Sequence, residues 1–530
     1  MPDPATTSAS TDPTPRPWWH DAVGYQIYPR SFAGTTGSGV GDLEGIRQHL
    51  DHLVWLGVDA VWISPFYRSP MADYGYDVAD FCDVDPMFGD LAAFDRLLAE
   101  AHERGLRVIV DWVPNHTSEA HPWFVAARSS RDDPKRDWYV WRDTPADGSP
   151  PNNWVASFTY DSAWEPDPAT GQSYLHLFLK EQPDLNWANP EVEAAMHDTL
   201  RFWLDRGVDG FRMDVIHLIG KDPELADDPE DLAGLSHVVL NDRPETHALL
   251  RRIRTLIDGY PGDRMSIGEV YLLDTERVAT YLGQGDELHL AFNFPPLYAP
   301  WSATAWRQQI ETTYGTHDRI GAWPTWVLSN HDNRRHRTRY GGSEARARAA
   351  AVLLLGLRGT PFLYAGEELG LEDAVVPADR VLDPGGRDGC RAPIPWDGSP
   401  GHGWPTADPW LPFPPEAEVR NVEHQRADEG SILHLYRRLL AARRASASLR
   451  HGDLRLLPAD PAAPDLLGFV RTADGDDPRT VLVAFGDDPS EVAGIEGTVE
   501  LASDGRGEGG PFDGRVAAGT AVVVRHDARP

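Results

Sequence analysis

Eight short apolar runs, most of them separated by a helical pattern, constrain this chain more than any other feature. "VGYQIY" (23–28) precedes "LEGIRQHLDHLVWLG" (43–57), whose apolar residues return at helical spacing. "VDAVWIS" (58–64) leads through a loop to "LAAFDRLLAEAHERG" (91–105), and "LRVIVDWV" (106–113) follows. The pattern resumes with the helical "PEVEAAMHDTLRFWLDRG" (190–207) and the strand-like "VDGFRMDV" (208–215). "MSIGEV" (265–270), "LHLAFNF" (288–294), "PTWVLSN" (324–330) and "GTPFLYAG" (359–366) complete the set. Alternating units imply a parallel sheet. Eight of them are the count of a closed (β/α)8 TIM barrel rather than an open doubly wound sheet, so the expected class is α/β.

The alternation breaks over 114–184, rich in Trp, Pro, Asp and Ser, which is too long for a connection and predicts an inserted subdomain. After the helix "SILHLYRRLLAARRAS", the runs "LLGFVRT", "TVLVAF" and "TAVVVR" predict a small antiparallel β domain. The expected organisation is a disordered tail (1–17), a barrel in two parts (18–113 and 185–448), the insert (114–184) and a C-terminal β-sandwich (449–530).

A formal charge of −33 repels nucleic acid, anionic lipid and polyphosphate, and leaves neutral or cationic small molecules as ligands. No apolar run reaches the ~18 residues of a membrane span. The N-terminus lacks a basic start followed by an apolar stretch, so the chain is expected in the cytoplasm, as a monomer or homodimer. Cys82 and Cys390 form no metal or disulfide pattern, and a reducing compartment suits them. The 19 tryptophans fit either core or exposed aromatic platforms. Dinucleotide and P-loop fingerprints are absent, and no cofactor is expected.

In such barrels chemistry sits at the C-terminal ends of the strands. Those ends offer Asp73, Tyr76 and Asp77; Asp111, Asn115 and His116; Arg212 and Asp214; Glu269; and His331 and Asp332. One Asp at a strand end is most often a cap or an ion-pair partner. Convergence of several with an Arg and two His points to glycoside hydrolysis, which in its retaining form needs a carboxylate nucleophile and a carboxylic acid roughly 5–5.5 Å apart. Arg212 points to the same side of its strand as Asp214 and is expected to keep that carboxylate ionised. The apolar run before Glu269 is expected to favour its protonated form, as a general acid requires. Asp332 suits stabilisation of a positively charged transition state, and His116 and His331 suit sugar hydroxyls. A metal-dependent barrel hydrolase normally shows an HxH pair, and the sequence has none.

"DWVPNH", "GFRMDV", "GEV" and "SNHDN" resemble, in order, the four recurring motifs of the α-amylase family of glycoside hydrolases (family 13). "QPDLNW" (182–187) is similar to a fifth motif of its oligo-1,6-glucosidase and α-glucosidase branch. The resemblance spans about Trp18 to Trp396 and the C-terminal domain only in type. It implies Asp214 as nucleophile, Glu269 as general acid/base and Asp332 as transition-state stabiliser, with Tyr76 stacked under the reacting glucose and His116, Arg212 and His331 around it. It further implies that Asp73 and Arg391, in "DGCRAPIPW", hold the non-reducing end and make the enzyme exo-acting. Phe178, in "LHLFL", matches a pocket aromatic, with plain core an equal alternative.

Val215, next after Asp214, matches the α-1,6-cleaving relatives; those preferring α-1,4 bonds tend to carry Thr or a smaller residue there. The expected substrate is a short oligosaccharide or other α-glucoside. Transglucosylation or isomerisation, as in an isomaltulose or trehalose synthase, is the alternative, and a non-catalytic sugar-binding member a distant one. The loop "FAGTTGSGVGDL" (32–43) occupies the place of a calcium-like D-x-[ND]-x-D-G-x-G-D loop in many relatives. Here Gly34, Thr36 and Ser38 replace the early acidic positions and only Asp42 remains. No metal is expected, with hydrogen bonds from Thr36 and Ser38 in its stead.

Overall fold

The computed structural model describes residues 16–236 and 240–526. The expected tail lies outside them except for Arg16 and Pro17. Eight strands form one parallel sheet: β1 Gly24–Ile27, β2 Ala60–Ile63, β3 Arg107–Trp112, β4 Gly210–Met213, β5 Met265–Gly268, β6 Leu290–Ala291, β7 Thr325–Val327 and β8 Thr360–Tyr364. Their order is β6–β5–β4–β3–β2–β1–β8–β7, a barrel with a seam between β6 and β7. Thr325 spans the seam, its Oγ1 donating to Ala291 O at 2.7 Å and accepting from Asn293 N at 3.2 Å. β6 is shorter than the run 288–294 because Pro295 and Pro296, which lack N–H donors, turn the chain into a 3₁₀ helix.

Period-two alternation sorts the strand residues. Trp62, Ile109, Ile267, Phe292, Val327 and Phe362 meet inside the barrel, while Val61, Val110, Phe211 and Leu363 pack outward beneath the helices. Burying each such side chain contributes about 1.5–3 kcal/mol. The helix Pro190–Arg206 shows how sequence sets an outer element. Asn189 caps it by accepting from Glu191 N, Pro190 fits the first turn, and Gly207 ends it in the left-handed region at φ 103°. Its buried face, Val192, Met196, Leu200, Trp203 and Leu204, returns every three to four residues.

The insert contains three short antiparallel strands, Trp141–Asp143, Trp164–Asp167 and Gln172–Leu175. C-terminally, five antiparallel strands between Asp453 and Arg525 form a sheet. The helix Glu344–Gly356, buried along nearly its whole length, joins it to the barrel. A Cβ at Gly356 would lie 3.1 Å from Val481 on that sheet. Among the described residues no helix is long and apolar enough to cross a membrane, and Cys82 and Cys390 are free thiols.

In the glycine loop, Asp42 is fully engaged by the chain. Its Oδ2 accepts from Thr35 N at 2.9 Å and Thr35 Oγ1 at 2.8 Å, and its Oδ1 caps the next helix through Gly45 N at 2.6 Å. Thr36 and Ser38 bond each other (2.9 Å), and Ser38 Oγ also accepts from Val40 N at 3.2 Å. Thr35, not singled out from the sequence, is the residue that meets the surviving carboxylate. Gly41 is required by close approach, since a Cβ there would sit 2.1 Å from Pro29 O.

Behind β8, Glu367 and Glu368 are adjacent and almost wholly buried. They accept from Tyr436 OH at 3.0 Å and Tyr25 OH at 2.8 Å. Burial pushes Glu367 up to about 8 and Glu368 to about 7. The nearby His336 ring is itself driven down to about 3, so it supplies no charge to ionise them. Both acids are raised, so the folded chain holds protons that the unfolded chain has released above about 4.5. Their stabilisation is complete below that pH and is lost as pH rises towards 8. At about 1.4 kcal/mol per unit the loss is on the order of a few kcal/mol. Tm at fixed ionic strength is expected to fall between pH 5 and 8.5, and Glu367→Gln to flatten the fall; parallel profiles for the two proteins would refute the assignment.

Candidate active site

Strand register assembles the site. Asp111 on β3 is paired with Arg212 on β4, and both side chains turn into the barrel. The parallel ladder continues one residue beyond each strand: Asp214 N donates to Trp112 O and Glu269 N to Met213 O, each at 2.8 Å. Both carboxylate-bearing positions are thereby fixed to rigid strands rather than left on free loops. Arg212 then bridges three acids, with Nη1 at 2.8 Å from Asp111 Oδ1 and 2.6 Å from Asp214 Oδ1, and Nη2 at 2.7 Å from Glu269 Oε2. Among the described residues Asp214 Oδ2 and Glu269 Oε1 take no hydrogen bond. Each acid thus keeps one oxygen for a ligand.

Above this cluster lies a cavity of about 340 Å³. Asp73, Tyr76, His116, Phe178, Asp214, Glu269 and Asp332 all line it. Arg212 and His331 stand directly behind this wall. His331 Nε2 meets Tyr76 OH at 2.6 Å and Asp332 Oδ2 at 3.2 Å, and its Nδ1 meets Gln26 Nε2 at 2.7 Å. Tyr76 stacks on the His331 ring, centroids 5.4 Å apart. Phe178 faces both the cavity and the insert's apolar cluster, and its ring lies 5.3 Å from that of His116.

The fifth motif acquires a physical role. Gln182 Nε2 lies 3.1 Å from Asp73 Oδ2 and 3.0 Å from His116 Nε2, tying the loops after β2 and β3 together. Asp184 accepts from Asn115 at 3.0 Å and pairs with Lys221 at 2.8 Å. Backbone bonds from Leu185 N to Asn115 O and from Thr117 N to Pro183 O dock the end of the insert on β3.

Arg391 is not where the resemblance placed it. It is fully buried behind Asp332, donating to His331 O at 2.8 Å, Asp332 Oδ1 at 3.0 Å and, at 3.4 Å, Asp383 Oδ1. The cation on Asp73 is Arg387, at 2.6 Å, which also reaches Asp332 at 3.0 Å and Asp383 at 2.6 Å. Arg387 caps and Arg391 ends the short 3₁₀ segment Asp388–Arg391, and the two diverge: Arg387 turns towards the cavity, where Phe158 lies 4.6 Å from its guanidinium, and Arg391 into the barrel. Nothing in "DPGGRDGCR" (383–391) distinguishes the two directions or marks its first acid, so sequence reasoning missed Arg387 and Asp383.

The surroundings of Glu269 also differ from the apolar pocket expected. Its Oε2 accepts from Val215 N at 3.0 Å in addition to Arg212. That bond holds Val215 at φ 35°, a left-handed conformation that costs a β-branched residue on the order of 1–3 kcal/mol. Nor does Arg212 alone set the charge of Asp214. Burial pushes that carboxyl well up against the pull of Arg212, and the charges of Glu269 and Asp111 add to the rise. Asp111 is raised to about 6, again by burial. Burial and the crowding of carboxylates around one guanidinium thus raise Asp214 and Asp111 together, against the pull of Arg212. Asp332 behaves oppositely: burial raises it, but surrounding cations hold it well below the usual carboxylate range. His331 is driven to about 3 by burial and is neutral, so Arg387, Arg391 and Arg212 do the holding. Burial likewise takes His116 down to about 4, leaving both histidines as neutral hydrogen-bonding groups.

The aromatic rim consists of tyrosines: Tyr160, Tyr271 and Tyr298 line the mouth with 67%, 44% and 44% exposure. Tyr271 OH bonds Tyr298 OH at 2.8 Å, and Tyr298 OH donates to Asn333 Oδ1 at 2.8 Å. No tryptophan lines the cavity among the described residues.

A TIM barrel whose strand ends gather paired carboxylates on one arginine, beneath a small polar cavity, defines the class as a barrel enzyme of sugar chemistry. Comparison with known proteins agrees. The family described as alpha amylase, catalytic domain, matches residues 26–452. A probable alpha-glucosidase of Rhizobium meliloti (strain 1021) is 43% identical over 501 residues, 88% of this chain and 89% of that one. An oligo-1,6-glucosidase of Parageobacillus thermoglucosidasius is 36% identical over 525 residues, 89% and 91% of the two chains. Among solved structures, the alpha-glucosyl transfer enzyme XgtA superposes with a TM-score of 0.88 at 41% identity, covering 97% of this chain and 100% of that one. The chain belongs to the α-amylase family of glycoside hydrolases.

Proposed function

We propose that the protein is an exo-acting, retaining α-glucosidase that releases glucose from short α-glucosides. One observation carries the reading: Arg212 bridges Asp214 and Glu269 at the base of a cavity whose wall is pinned by the Asp73–Arg387 pair. Asp214 Oδ2 attacks the anomeric carbon while Glu269 gives its proton to the glycosidic oxygen, and the aglycone leaves as an alcohol. Glu269, now a carboxylate, takes a proton from water. That water attacks the same carbon and frees Asp214, so configuration is retained. Asp332, ionised by the arginines around it, stabilises the positive charge that develops on the sugar. Tyr76 offers its ring face to glucose, Phe178 an apolar wall and neutral His116 its ring edge, while neutral His331 positions Tyr76 and Asp332 from behind the wall. Asp73 and Arg387 hold the hydroxyls of the non-reducing end, which limits the cavity to a terminal sugar. Val215, its backbone pinned by Glu269, favours α-1,6 over α-1,4 linkages. Two free thiols suit a reducing cytoplasm.

A second reading, transfer of glucose to a sugar acceptor instead of water, is supported by the similarity to the transfer enzyme and by the half-exposed tyrosines at the mouth, which offer an acceptor ring a stacking surface. Comparison of kcat/KM and products on isomaltose, maltose, sucrose and an aryl α-glucoside tests both. Free glucose as the main product, with isomaltose the best disaccharide, is expected; an isomeric disaccharide accumulating without glucose would establish transfer.

A further inference from the structure

At the end of the barrel opposite the catalytic mouth, a second cavity of about 310 Å³ opens where β1, β2 and β3 begin, beside the helix Ile432–Ala445. Arg107, Arg443, Arg444 and Arg450 line it, against only two acids, Asp21 and Asp59. Both acids are already engaged. Asp59 pairs with Arg444 at 2.7 Å and accepts from Val23 N at 2.9 Å, and Asp21 meets His451 at 3.1 Å and Arg450 at 3.6 Å. Arg107 is paired outside the lining, with Asp209 at 2.8 Å.

Arg443 has no such partner. It is 1% exposed, and its Nη groups donate only to the carbonyls of Leu355, Leu357, Leu449, Gly359 and Arg450. Its Nε, like that of Arg450, is buried with no acceptor among the described residues. Next in the interior lies Arg471, also fully buried, which bonds only the carbonyls of Gly356 and Gly452. Two guanidinium charges thus lie in the protein interior with no carboxylate in contact. Burial pulls Arg443 down to about 10 and, with repulsion from Arg443, Arg471 to about 9. Carbonyl dipoles solvate such charges in part, but a buried ion without a counter-ion remains costly. In a chain of net charge −33, this concentration of unneutralised cations is a local exception.

We propose that the cavity at the N-terminal end of the barrel binds a small oxyanion, inorganic phosphate or a small carboxylate, as the counter-ion to Arg443, with Arg444 and Arg450 as its outer ligands. Arg443 offers the anion its free Nε–H, the guanidiniums of Arg444 and Arg450 add charge-assisted donors at the cavity's edge, and the cavity's volume limits the ligand to a small one. The proposed site is separate from the catalytic cavity and shares none of its lining. Binding there ties the first strands to the last helix of the barrel, so its readout is stability rather than turnover.

The test is thermal unfolding of the full chain in increasing inorganic phosphate, with chloride adjusted to hold ionic strength. A saturable rise in Tm of about 1–3 °C is expected. Arg444→Gln, at the half-exposed edge of the cavity, is expected to keep wild-type kcat/KM and lose most of the rise; Arg387→Met, at the opposite end, is expected to keep it. Isothermal titration of phosphate into the wild-type protein gives an independent readout, with one site per chain expected. A rise no larger than chloride gives, no saturable heat, or a rise kept by Arg444→Gln would overturn the proposal.

Discussion

Asp214→Asn is expected to lower kcat/KM on every α-glucoside by ~10⁴-fold or more while the protein stays folded. An amide cannot form the glycosyl ester, and no other carboxylate is placed to do so. Glu269 keeps its bonds to Val215 N and Arg212, and Asp111 is held by Arg212 on β4. The substitution removes one of three acids crowded around a single guanidinium, so Tm is expected to stay within a few degrees of wild type or to rise. Glu269→Gln separates the second role. It is expected to cost ~10²–10⁴-fold on isomaltose, whose alkoxide leaving group needs a proton, and far less in the first step with a good aryl leaving group. Steady-state kinetics with both substrate types decide. More than a tenth of wild-type activity in Asp214→Asn, or equal losses on the two substrates for Glu269→Gln, would contradict the assignment.

Arg387→Met is expected to reduce kcat/KM on disaccharides by ~10²–10³-fold, mainly through KM, because it removes charge-assisted hydrogen bonds to Asp73 and Asp332 worth about 1.5–3 kcal/mol each. It also opens the closed end of the cavity, so longer α-glucans should lose less than disaccharides. Arg391→Met gives the contrasting result. That side chain is fully buried against Asp332, Asp383 and a backbone carbonyl, so its removal leaves both acids to Arg387 alone and opens a buried gap, at an expected cost on the order of 3 kcal/mol of stability. Kinetics and thermal melts on the two variants distinguish them. If Arg391→Met were the variant with an intact Tm and a raised KM, the exchange of roles between the two arginines would be wrong.

The two arginines also mark the limit of what sequence conveys here. Alternation of apolar runs gave the barrel because each strand is buried on both faces and each outer helix on one, and both patterns survive in one dimension. Asp214, Glu269 and Asp332 were legible because strand ends in this fold converge. The direction taken by Arg387 and Arg391 was not, since it depends on a 3₁₀ turn and on which acids the loops from β2 and β8 bring near. Charge states were equally out of reach. "FRMD" shows an Arg beside an Asp but not that Asp111 and Glu269 share the same guanidinium, which together with burial reverses the expected effect on Asp214. The seam between β6 and β7 is bridged by the Thr325 hydroxyl, which nothing in its local sequence singles out.

The central claim is a covalent glucosyl intermediate on Asp214, and the anomeric configuration of the first glucose released tests it most directly. Proton NMR of an aryl α-glucoside digest, recorded within the first minutes before mutarotation, is predicted to show α-glucose appearing first and β-glucose only later. Initial release of β-glucose would mean a single displacement by water and would contradict the account.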